Sequence, residues 1–75
     1  MNDVQDNNEN LTFLFRITYK SGSSFEAWFD KMEVTSTAGE ITSIEWKVSA
    51  GERLRIIHIG ASEIESVLQL DYKQR

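Results

Sequence analysis

Apolar side chains recur at every second position through most of this chain, and that alternation restricts its fold more than any other feature. In residues 41–48, ITSIEWKV, Thr42, Ile44, Trp46 and Val48 fall on one side and Ser43, Glu45 and Lys47 on the other. A period of two marks a strand with one buried face. Trp46 carries roughly 200 Å² of buriable surface, so this stretch is expected to organise the core. Residues 11–19, LTFLFRITY, repeat the pattern, with Phe13, Phe15, Ile17 and Tyr19 on one face and Leu14 breaking the polar character of the other.

Residues 24–35 carry the pattern with a slip. Phe25, Ala27 and Phe29 are in phase, and Met32 and Val34 are in phase one residue later. An extra residue near Asp30-Lys31 restores the register, which is the work of a β-bulge. The glycine-containing stretches 20–23, 37–40 and 50–52 read as turns. Residues 53–59, RLRIIHI, read as a fourth strand whose later half, with Ile57 beside His58 and Ile59, is apolar on both faces. Ser62-Glu63-Ile64-Glu65 has capping-box spacing. It is read as one helical or 3₁₀ turn before a short last strand ending at Tyr72, with a helix over 63–70 as the alternative. The expected fold is mainly β: a five-stranded SH3-like small barrel or bent antiparallel sheet, with one helical turn before the last strand.

A chain of 75 residues makes one domain and buries only about 60% of its unfolded surface. Residues 1–10, with four Asn, two Asp and one Glu, are expected to form a disordered tail. The ordered domain is expected over 11–72, with 73–75 frayed. There is no cysteine, and no run of apolar residues long enough to span a membrane. The acidic, amide-rich start is unlike a signal peptide. These features place the chain in a cytoplasm.

Twelve acidic and eight basic residues leave a net charge of −4, which works against phosphate backbones and anionic membranes. His58 is the single histidine, flanked by isoleucines, and no phosphate loop, two-histidine metal motif or nucleophile elbow is present. No enzyme chemistry, cofactor or metal is expected. If Phe25, Ala27 and Phe29 face the core, Trp28 faces out, and an outward tryptophan on a polar face suits an interface anchor. Leu14 also projects from the outer face. Arg53 and Arg55 alternate on their stretch and would supply polar contacts. The partner-binding set is therefore Trp28, Arg53, Arg55 and Leu14, with a protein or a second copy of the chain as partner.

The Tyr19-Lys20-Ser21-Gly22 turn, the kinked strand, Gly39-Glu40-Ile41, Trp46, and Ile57-His58-Ile59 followed by Ile64-Glu65-Ser66-Val67 together resemble the pattern of many short orphan proteins of bacteriophages and prophages. The outline is also similar to Sm-like barrels, whose RNA-binding loops have no match here. The phage resemblance implies a stoichiometric accessory protein, of the kind that inhibits a host factor or defence system, often as a dimer or ring. It leaves open a nucleic-acid-binding barrel, a homo-oligomeric structural component, and a small nucleotide held by Arg53, Arg55, Trp28 or Tyr72.

Overall fold

The computed structural model describes residues 10–56 and 58–75. They form one antiparallel four-stranded sheet: β1 (Leu11–Tyr19), β2 (Ser24–Thr37), β3 (Glu40–Val48), a 3₁₀ turn (Ala61–Glu63) and β4 (Ile64–Gln74). The strand order is β3-β2-β1-β4. β1 and β2 are central, so the 41–48 stretch forms an edge strand.

The phase slip in β2 has the physical form the sequence calls for. Phe29 pairs with Val48 and Lys31 with Lys47, leaving Asp30 as the extra residue of a bulge. The bulge lets Phe29 and Met32 reach the same core. β3 carries its own extra residue at Thr42, which brings Ile41 onto the side of Ile44. The Ala38-Gly39 turn has positive φ at both residues, the geometry a two-residue hairpin loop demands.

Ile17, Ala27, Phe29, Ile59 and Ile64 form the buried centre. Phe29 is fully buried, with its ring 5.9 Å from Phe15 and 6.4 Å from Trp46, both edge-on. Trp46 is half-buried, because an edge strand offers neighbours on one side only. Phe29, not Trp46, is the centre of the core.

The fourth strand expected over 53–59 is not formed: residues 52–56 and 58–60 are irregular. Ile56 and Ile59 plug the core from irregular backbone, whereas Arg53, Leu54, Arg55 and His58 are exposed. Alternation reports which side chains are buried, and an irregular segment crossing a sheet face satisfies it as well as a strand does. Ile57 and the tail over 1–9 lie outside the described residues. The last strand runs past Tyr72 to Gln74, and the Arg75 amide donates to the Asn10 carbonyl at 3.0 Å, so 73–75 are held rather than frayed.

Candidate functional site

The face of the sheet away from the core is where Trp28 lies. Trp28 pairs with Leu14 on β1, and Leu14 pairs with Asp71 on β4. The Trp28 carbonyl accepts from the Ser49 amide at 2.9 Å, and its amide donates to Glu52 Oε1. Both backbone groups thus point away from β1. Leu14 and Trp28 therefore form a non-hydrogen-bonded pair, the arrangement that brings cross-strand side chains closest.

Glu52 completes the ladder beyond the end of β3. Its Oε2 also accepts from the Leu54 amide at 3.0 Å. Burial opposes the charged carboxylate, but the amides of Leu54, Trp28 and Arg53, together with the Lys73 ammonium, outweigh it and hold the carboxyl below the usual range. One acidic side chain thus ties the 49–54 loop to the tryptophan strand.

A groove of about 390 Å³ opens beside the indole, lined by Thr12, Ser49, Gly51, Lys73, Gln74 and Arg75. Lys73 Nζ sits 4.2 Å from the centroid of the Trp28 ring, a cation–π contact. Thr12 is buried and donates its hydroxyl to the Phe29 carbonyl at 3.0 Å, fixing β1 against the bulge. Arg75 Nε donates to the Leu11 carbonyl at 3.3 Å and stands 3.6 Å from Asp30 Oδ1, a buried oxygen with no hydrogen-bond partner of its own. Lys73 has no carboxylate within ion-pair distance among the described residues.

The four residues expected to bind a partner are not all brought together. Trp28 and Leu14 are adjacent. Arg55 instead lines a shallower groove of about 430 Å³ at the other end of the sheet, with Tyr19, Phe25, Leu54, Ile56 and His58. Arg53 is exposed and enters the Trp28 neighbourhood only through its amide on Glu52. Tyr72 is exposed on β4, one residue from Lys73.

Sequence reading missed Glu52, Lys73 and Arg75. Their roles depend on the β1–β4 register and on the return of the 49–54 loop, which no local pattern encodes. Among the described residues, no cluster of His, Asp or Glu is arranged to hold a metal ion, and no helix is long and apolar enough to cross a membrane. Comparison with protein-family models, curated proteins and solved structures finds no match.

Proposed function

We propose that this chain is a non-enzymatic binding module that holds a protein segment against Trp28. The observation that carries the reading is the pairing of Trp28 with Leu14 on the face opposite the core, beside a groove walled by a glycine-containing loop. Tryptophan in a partly enclosed site surrounded by polar residues is the composition of an interface hot spot. The strand order and the 3₁₀ turn before the last strand suit a small SH3-like barrel in which the irregular residues 52–56 and 58–60 stand in for a fourth strand. A cytoplasmic, phage-type accessory protein acting on a host factor is the biological setting we favour, on the strength of the strand-and-turn pattern.

The test is selection from a randomised peptide library against the intact chain. Selected peptides are expected to lose at least tenfold in affinity on Trp28→Ala, while that variant keeps its cooperative melt within a few degrees. Equal affinity on the variant would overturn the reading, as would collapse of its fold.

A second reading, self-association, would run through β4, where exposed apolar side chains favour contact and the strand edge itself opposes pairing. Leu68, Leu70 and Tyr72 are all exposed on the open edge strand β4, Tyr72 to 61%. Ladder parity turns the Tyr72 amide outward, and the Asp71 carboxylate takes it at 2.7 Å. With the bulges at Glu65 and Leu70, this blunts the edge against another strand. Asp71→Ala is expected to increase the dimer fraction in sedimentation at high concentration. No change relative to the parent would show that Asp71 does not guard the edge.

A further inference from the structure

The geometry points to a more specific occupant of the Trp28 groove: we propose that it takes an extended peptide bearing an acidic side chain next to an apolar one. The inference rests on the groove being the binding site and adds the chemistry of the partner. Two of the lining side chains are cationic, Lys73 and Arg75, and none is acidic. Lys73, near the end of β4, lies over the indole and Arg75 follows the strand, while the Ser49–Gly51 loop forms the other side. A carboxylate would therefore meet Lys73 and Arg75 at one wall, and its apolar neighbour would lie on Trp28 and Gly51.

The cations are poised for this. Lys73 is held over the indole, within electrostatic reach of Glu52 but with no carboxylate at ion-pair distance among the described residues. The Arg75 contact with Asp30 runs through Nε at 3.6 Å, which leaves the two terminal nitrogens of its fork to meet a ligand. Glu52 accepts from backbone amides on the far side of Trp28, so its charge is spent within the fold. A nucleic-acid strand fits less well. Its regularly spaced phosphates need a continuing basic track, and this short groove offers only two cations, Lys73 and Arg75.

The experiment uses the full chain and three synthetic peptides of one length and one apolar core, with glutamate, glutamine or lysine at the flanking positions. Binding is read by titration calorimetry at low and at physiological salt, with a short oligothymidylate as a fourth probe. The glutamate peptide is expected to bind about tenfold more tightly than the glutamine peptide. Lys73→Gln should cut that difference several-fold, and Lys73→Gln with Arg75→Gln should erase it. A Cβ at Gly51 meets no atom within 4 Å, so the position admits a side chain; Gly51→Phe, checked for a parent-like melt, should narrow the groove and weaken both peptides alike.

Equal binding of the glutamate and glutamine peptides, both lost on Trp28→Ala, would overturn the acidic preference and leave the groove standing. Binding that ignores Trp28→Ala and Gly51→Phe would overturn the groove itself. Tighter binding of the oligothymidylate than of any peptide would replace the proposed partner with a nucleic acid.

Discussion

Phe29→Ala should lower the midpoint of the cooperative thermal transition by roughly 12–40 °C. Phe29 is fully buried, packs edge-on against Phe15 and Trp46, and sits beside the bulge that gathers both halves of β2 onto one core. Emptying a site of this kind costs about 3–5 kcal/mol. A domain of this length has a total stability of only about 4–11 kcal/mol, so the variant should be partly unfolded at 37 °C. Circular dichroism during heating checks this. A sharp transition within a few degrees of the parent would mean that the core lies elsewhere. Trp46→Ala should be milder, because its ring is half-buried on an edge strand.

Glu52→Ala should be the most damaging change outside the core. It removes the acceptor for the Trp28, Leu54 and Arg53 amides and releases the loop that walls the groove. Hydrogen bonds to a charged group contribute about 1.5–3 kcal/mol where they are buried; partial exposure of Glu52 puts the expected loss at the lower end, about 2 kcal/mol. The pH dependence carries a sign. The folded carboxyl titrates below its ordinary value of 4.5, so its stabilisation is present above that value and is lost as pH falls through the lower folded one. Glu40, held low by Lys20, contributes in the same direction. Denaturant melts of the parent should therefore weaken below about pH 4.5, and Glu52→Gln should show a shallower decline. An unchanged slope would mean that Glu52 is not ionised against those amides.

The facing of β1 and β2 was legible in the sequence because burial imposes a period of two that survives without any tertiary information; on β4 it was not, since Leu68, Leu70 and Tyr72 alternate yet stay exposed. The β2 bulge was legible for the same reason: Phe29 and Met32 can share a core only if one residue between them is extra. The place of a strand within the sheet was not. Residues 41–48 carry a strong alternation, yet alternation is the same for an edge and a centre. Residues 53–59 misled because isoleucines such as Ile56 and Ile59 bury equally well from irregular backbone. At the site, the outward direction of Trp28 followed from the phase of Phe25, Ala27 and Phe29. Its neighbours did not, because Lys73 reaches the indole only through a β1–β4 register shifted by the bulge at Leu70. Arg55 looked like a companion of Trp28, but the 49–60 segment carries it to the opposite groove.

The most direct measurement is an amide chemical-shift map of the intact chain titrated with the glutamate peptide. Perturbation should be concentrated at Thr12, Trp28 (indole N–H included), Ser49 to Gly51 and Lys73 to Arg75, with Ile17, Ala27 and Phe29 unmoved. Shifts centred instead on Leu54, Arg55 and His58 would contradict the account by moving recognition to the other groove. A spectrum that does not respond would remove the peptide as partner.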